Sequence, residues 1–357
     1  MEKSDIVKFI AKQYITVVEA MQLIDNNTRG ILFIVNDNGE LIGSLSDGDI
    51  RRWIIKTGDL NGKAEKMMNK NPKMLFEHEK NNGYEFMKTK SINSVPIVDS
   101  TKKIVDILFD DEQASVGISS TGLAGTPIII MAGGKGTRLY PYTKILPKPL
   151  IPIGDVPILE RIINRFYNFG ANDFYLTVNY KKEMIKSYFK ELSPAYSISY
   201  IEESKHLGTA GSIKLIEKKF DTPVIITNCD ILIEADYEKV LSFHKESGNA
   251  LTIVSSLKNV TIPYGVLHSS QNGVISSMEE KPQLSYFINT GMYVLDPQYI
   301  EKIPDDTFYH MTHLADQLMS DGLQVGMYPI SENSFLDMGE FEEMKKMEAR
   351  INSGSVS

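Results

Sequence analysis

The chain has 357 residues, too many for one ordinary core, and its 42% hydrophobic and 24% charged composition is that of a water-soluble globular protein with two domains. A formal net charge of −8 excludes a general binder of nucleic acid or acidic membrane, because a polyanion is repelled on average. Cys229 is the only cysteine, so no internal disulfide can form, and the start MEKSDIVKFIAKQYITVVEA has no long apolar run; both lead to the expectation of a cytoplasmic protein without signal peptide or membrane anchor.

The first third of the chain repeats itself. RGILFIVNDNGELIGSLSDGDI (29–50) has an echo in INSVPIVDSTKKIVDILFDDE (92–112), and aligning Phe33 with Pro96 or Asp49 with Glu112 gives the same offset, 63 residues. Each copy carries an amphipathic helical pattern (Val17 to Ile24, Gly83 to Met87), then a strand, a polar turn and a second strand, and Asp49-Ile50-Arg51-Arg52 opens a further helix. This layout resembles the cystathionine-β-synthase-type (CBS) repeat, two of which pack as one smaller α+β module; here they would cover about 5–56 and 64–113. In that family a Gly-x-x-Thr-x-x-Asp stretch contacts an adenosyl ligand. The first copy reads from Gly43 to Asp49 with Ser46 in place of Thr, while the second has Phe109 without a hydroxyl and Glu112 in place of Asp. The resemblance therefore implies one site at most, for an adenine or other nucleotide, held by Ser46 and Asp49. Capping of the following helix explains the same two residues, and both readings stand. Such repeats pair through amphipathic surfaces, so a homo-oligomer is expected.

ASVGISSTGLAGTP (114–127) is poor in large apolar residues and reads as a flexible linker, dividing the chain into residues 1–120 and 121–357. Beyond it, Thr126 to Ala132 is a short apolar run that ends in Gly133-Gly134-Lys135-Gly136-Thr137-Arg138-Leu139. A buried strand, a glycine-rich loop and then a helix is how α/β folds hold phosphates. The loop is neither a Walker loop nor the dinucleotide pattern Gly-x-Gly-x-x-Gly.

The continuation MAGGKGTRLYPYTKILPKPLIPIGDVPILE (131–160) resembles the opening signature of the sugar-phosphate nucleotidyltransferases. LGTAG (207–211), NCDIL (228–232), PYGV (263–266), EKP (280–282), INTGMY (288–293) and FLDMGEFEE (335–343) then follow in the family's order. The resemblance implies a Rossmann-like α/β domain with a mostly parallel twisted sheet, and transfer of a nucleotidyl group from a nucleoside triphosphate to a sugar 1-phosphate. Positions matching the family's nucleotide loop are Ala132, Gly133, Gly134, Gly136 and Thr137, with Gly208 and Thr209 further on. Arg138 and Lys148 match the cations that contact the phosphates, and Asp230 and Asp337 match the two Mg²⁺ ligands. Gly265, Glu280, Lys281, Asn289 and Thr290 match the positions that hold the sugar phosphate. The chemistry suits these residue types: the nucleophile is already an anion, so positioning and cations carry the catalysis. Hard oxygen donors fit Mg²⁺, whereas one cysteine and scattered histidines give no zinc spacing.

The family reads the base with backbone groups at the Gly208 position and with the side chain five residues before it, which here is Glu203. A carboxylate accepts twice, which suits the adjacent ring N–H and amino group of guanine; thymine or uracil would turn carbonyl oxygens toward it, at a cost on the order of a few kcal/mol. GTP is therefore favoured over UTP or dTTP, unless Glu203 is a solvated loop carboxylate beside Glu202. CBS repeats fused to such a domain resemble bacterial enzymes that make GDP-glucosamine for legionaminic-type acids. Mannose and heptose 1-phosphates stay open. A nucleotide-sensing protein on a dead scaffold would have lost Arg138, Lys148, Asp230 or Asp337, and all four are present.

Overall fold

A computed structural model describes residues 6–27, 29–110 and 121–352. The chain forms two compact units, Met1–Gly117 with Leu257–Tyr286, and Ile118–Ser256 with Phe287–Ser357.

In the first unit, β1 (Ile10–Lys12), α1 (Val17–Asn27), β2 (Ile31–Val35), β3 (Leu41–Ser46) and α2 (Asp47–Thr57) make the first copy. The second contains β4 (Leu75–Phe76), α3 (Gly83–Lys90), β5 (Ser94–Val98) and β6 (Ile104–Phe109). Each copy is a three-stranded sheet, β1-β2-β3 and β4-β5-β6. The 63-residue offset holds to the residue in the hairpins. Ile31 pairs with Ser46 and Ser94 with Phe109, and both ladders shift register at the same step, Ile34/Val35 and Ile97/Val98. A bulge of this kind, shared by the two copies, re-aims the strand after it. Phe9, Phe33, Leu41, Val98 and Ile107, drawn from both copies, share one buried cluster. Also in this unit is an exposed hairpin, Gly265–Ser269 against Ile275–Glu280.

The second unit is built on a seven-stranded sheet. Its strands are β7 (Ile128–Ala132), β8 (Asp173–Val178), β9 (Ser197–Glu202), β10 (Val224–Asn228), β12 (Leu251–Thr261), β13 (Gln283–Leu295) and β14 (Val325–Ile330), and β11 (Ile231–Ile233) lies outside it. The order is β9-β8-β7-β10-β13-β12-β14, with β9, β8, β7 and β10 mutually parallel and β13 antiparallel to β10. Alternate residues along β7 enter different cores: Ile128 and Ile130 one, Ile129 and Met131 the other. That is the signature of a sheet covered on both faces. Helices α4 (Ile158–Asn168), α5 (Lys182–Leu192) and α6 (Tyr237–Ser247) bury their apolar stripes on the first face, and α7 (Met311–Ser320) on the second. A short pair, β11 with β15 (Phe335–Asp337), precedes α8 (Phe341–Asn352). Among the described residues no helix is long and apolar enough to cross a membrane.

One expectation is narrowed and another fails here. Residues 114–120 and Glu112 lie outside the described residues, but the end of the expected linker is core. Leu123 is fully buried among α4 and β7 residues and its N–H donates to the Phe169 carbonyl, so one large apolar side chain pins a turn that composition reads as slack. The glycine loop is also not followed by a phosphate-binding helix. Thr137–Leu139 is a single 3₁₀ turn and Tyr142–Ile145 one helical turn, because Pro141, Pro147 and Pro149 interrupt any longer helix. Phosphate binding at this loop therefore rests on backbone N–H groups and side-chain cations rather than on a helix terminus.

Candidate active site

The parallel strands β7, β8 and β10 end on one side of the sheet, where such folds place ligands. A cavity of about 300 Å³ opens there. Gly133, Gly134, Gly136 and Thr137 form one wall with Arg138; Gly208 and Thr209 form another, and Lys148, Glu203 and Asp230 also line it. Ala132 is the buried last residue of β7 and leads into this wall without lining it. The sequence thus picked out most of the cavity, but not Met131, Thr177, His206, Asn228, Cys229 or His310, which line it too. Asn228 had a signal, its place in NCDIL. Thr177 and His310 reach the cavity only through tertiary packing, with no local pattern to mark them.

The metal-ligand candidates are distant in sequence, Asp230 in the turn between β10 and β11 and Asp337 at the end of β15. Ile231 pairs with Asp337 across β11 and β15, and the Met338 N–H donates to the Asp230 carbonyl at 2.8 Å, which sets Asp230 and Asp337 side by side. Burial, and then the Asp230 charge, push the Asp337 carboxyl above its ordinary value; the Gly339 N–H at 2.7 Å and the charges of Lys148 and Arg138 oppose that. Two carboxylates that repel each other in a partly dry site fit a hard divalent cation. Lys148, 8% exposed, forms an ion pair with Asp230, so a fixed ammonium already stands against the pair. Among the described residues no group of three or more His, Cys, Asp and Glu forms a richer metal cluster. Cys229, beside Asp230, has its thiol pushed up to about 12 by burial and is an inert packing residue.

Glu203 is 6% exposed, whereas Glu202 is solvated and pairs with Lys182 and Lys186. The solvated-loop reading of Glu203 is thereby removed. Its carboxylate accepts the Leu207 N–H at 3.3 Å, and burial raises its pKa. Gly133 makes this approach feasible: a Cβ there would stand 2.4 Å from Glu203 Oε1. Gly208 sits at φ +79°, and its Cβ would lie 2.6 Å from the Tyr309 carbonyl oxygen. The loop after β9 accordingly needs glycine on both steric and conformational grounds.

The sugar-phosphate candidates divide between the two units. Gly265 and Glu280 face each other across the exposed hairpin and Lys281 follows it, all three in the first compact unit. Asn289 and Thr290 belong to the second, and their side chains are engaged internally. Asn289 Nδ2 donates to the Tyr293 hydroxyl at 2.8 Å, and the buried Thr290 hydroxyl donates to the Val254 carbonyl at 2.7 Å.

In the first unit, a cavity of about 480 Å³ is lined from both repeats, by Arg29, Ser44 and Ser46 of the first and by Lys73, Asn93 and Asp110 of the second. Ser46 lies on its wall, but Asp49 is spent on the helix: it accepts from the Ser46 N–H and hydroxyl and pairs with Arg52 at 2.5 Å, while Ser46 caps Asp49 N–H at 3.2 Å. The capping reading describes Asp49, and Phe109 is part of the cavity wall.

Comparison with known proteins agrees with this geometry. The nucleotidyl transferase family model matches residues 128–353, and the CBS domain model matches residues 4–56. A mannose-1-phosphate guanyltransferase of Debaryomyces hansenii is 36% identical over 184 residues, 49% of this chain and 51% of the relative. A UTP–glucose-1-phosphate uridylyltransferase of Synechocystis is 33% identical over 215 residues, 55% of each. The chain thus spans about half the length of the curated relatives it matches. The crystal structure of HddC from Yersinia pseudotuberculosis overlays on 63% of this chain and 99% of its own, at 28% identity and a TM-score of 0.50.

Proposed function

This chain belongs to the nucleotidyl transferase family, and from that premise we propose that it joins a sugar 1-phosphate to the nucleotidyl group of a nucleoside triphosphate, GTP being favoured. The observation that carries the reading is the meeting of Lys148 with the Asp230–Asp337 pair beside a glycine-lined cavity at the ends of parallel strands. A phosphate oxygen of the sugar 1-phosphate attacks the α-phosphorus, the bond to the bridging oxygen of the β-phosphate breaks, and that oxygen leaves with pyrophosphate. No proton need move. Arg138 offers a two-pronged donor to triphosphate oxygens, and Lys148 a point charge for the reacting phosphates. Asp230 and Asp337 would hold Mg²⁺, which when bound offsets charge on the phosphoryl oxygens. The buried Glu203 supports guanine, since a dehydrated carboxylate demands donors. Relatives named for GTP and for UTP both occur, so the base is assigned on Glu203 alone.

For the acceptor we favour glucosamine 1-phosphate, in synthesis of a legionaminic-type surface sugar, with mannose and heptose 1-phosphates as the alternatives. The reading places tandem repeats in 1–120 and the transferase in 121–357, and has the repeats assemble a cytoplasmic homo-oligomer. The cavity walled by Arg29, Lys73 and Ser46 supports a nucleotide there as regulator. The deciding experiment is a matrix of nucleoside triphosphates against sugar 1-phosphates on the full chain with Mg²⁺, scored by pyrophosphate release. GTP with a hexose or hexosamine 1-phosphate is the expected productive pair; release from UTP or dTTP alone would overturn the base assignment, and none from any pair the activity.

A further inference from the structure

Three of the six histidines, His206, His310 and His313, gather beside the nucleotide cavity, and the transferase chemistry uses none of them. His310 precedes α7 and is the one locked in place. The Thr209 N–H donates to its Nδ1 at 3.3 Å, and the Thr209 hydroxyl lies 3.3 Å from the same atom while accepting the Met311 N–H at 3.0 Å. A backbone N–H can only donate, so Nδ1 is the acceptor and the proton sits on Nε2. Burial first, then the charges of His313 and His206, hold the imidazole below its ordinary pKa and hence neutral. The His310 backbone N–H donates to His313 Nδ1 at 3.2 Å, and the Tyr309 carbonyl accepts from the Ala210 and Gly211 N–H groups at 2.9 and 3.1 Å.

Glu203 and His310 thus grip one loop two residues apart, Glu203 at the Leu207 N–H and His310 at the Thr209 N–H, with Gly208 between them. Both line the cavity that Arg138 and Lys148 also line. If Glu203 takes the ring N–H and amino group of guanine, the next atom on that edge is the 6-carbonyl oxygen, which needs a donor. Adenine would present an amino group there instead.

We propose that His310 is a specificity-determining residue of the nucleotide site, donating from Nε2 to the 6-carbonyl oxygen of a guanine nucleotide and thereby selecting guanine over adenine. The inference rests on the GTP reading of Glu203.

The test uses the full chain as wild type, His310→Leu and His310→Gln. For each, KM is measured separately for GTP, ATP and the sugar 1-phosphate, with GTP binding by calorimetry in the absence of acceptor. His310→Leu should raise KM and Kd for GTP about tenfold, the size of one hydrogen bond in a dry site, and cut the preference for GTP over ATP by the same factor. The KM for sugar phosphate and kcat should stay within about twofold, a split that simple loosening of the loop would not give. His310→Gln, which can accept from Thr209 or donate to the base, should recover part of the loss. Unchanged GTP affinity in His310→Leu overturns the proposal, as does a parallel rise in KM for both substrates. The underlying readings fail separately: a wild type that binds GTP without turnover sinks the transfer chemistry but leaves His310 testable by calorimetry, whereas a wild type that prefers UTP sinks Glu203 and His310 together.

Discussion

Replacing Glu203 by Gln isolates the electrostatics of base recognition from the architecture of the loop. The glutamine carbonyl can still accept the Leu207 N–H, so the wall beside Gly208 should survive. A neutral amide at a 6% exposed position also avoids the burial penalty that raises the Glu203 pKa, so thermal stability should hold or rise. What is lost is one acceptor facing guanine, where the amide turns a donor toward a donor. A hydrogen bond to a charged group is worth about 1.5–3 kcal/mol, which corresponds to a fall of roughly 10- to 150-fold in kcat/KM for GTP. Use of UTP and dTTP should rise, because the amide can both donate and accept. A pH series adds a sign. The carboxylate form is lost as pH falls through a pKa raised by burial, so the wild-type KM for GTP should climb on acidification from a higher pH than an ordinary glutamate would give, while the variant should keep only the dependence that the likewise raised Asp337 contributes. Steady-state kinetics for GTP, UTP and dTTP from acid to neutral pH decide it. Unchanged GTP preference in a folded Glu203→Gln protein would refute the assignment and send base recognition elsewhere.

Other outcomes follow from the same contacts. Asp230→Asn should keep a partner for the buried Lys148 and lose at least roughly 100-fold in turnover, whereas Asp230→Ala strands that ammonium and should also destabilise by about 3–5 kcal/mol; near-normal activity in the folded Asn variant would remove the metal assignment. Leu123→Ala, although in a segment of linker composition, should cost about 2–5 kcal/mol and lower the Tm seen by calorimetry, because its side chain is fully enclosed. His244, whose Nδ1 lies 2.9 Å from the Thr252 hydroxyl, is pushed down to about 4 by burial. The unfolded chain therefore binds the extra proton first, so stability present above about pH 6.5 should fall toward pH 4 by at most about 3 kcal/mol, and His244→Gln should flatten that slope in urea titrations.

What the sequence made legible was what is encoded locally. The repeat showed because strand, polar turn and strand recur at a fixed spacing, and both hairpins keep that spacing down to the bulge. Lys148, Asp230 and the glycine loop were legible because family motifs mark them, and they do line one cavity. Composition misjudged Leu123, since a single buried side chain outweighs its small neighbours. The strand and glycine loop suggested a following helix by the common α/β pattern, which does not weigh three prolines against it. His310 and Thr177 were invisible, as neither belongs to a motif and both owe their place to chain segments that meet only on folding. Nor did the sequence separate Glu203 from Glu202: the alternation at the end of β9 buries one and leaves the other to two lysines.

The most direct test of the central claim is the fate of oxygen in a reaction run in heavy-oxygen water. The full chain, Mg²⁺, GTP and glucosamine 1-phosphate, or the best acceptor from the matrix, are incubated and the products weighed by mass spectrometry. Direct attack by the sugar phosphate predicts nucleotide sugar and pyrophosphate in equal amounts, neither carrying solvent oxygen. Labelled nucleoside monophosphate in their place would mean that water is the nucleophile, and would contradict nucleotidyl transfer at this site.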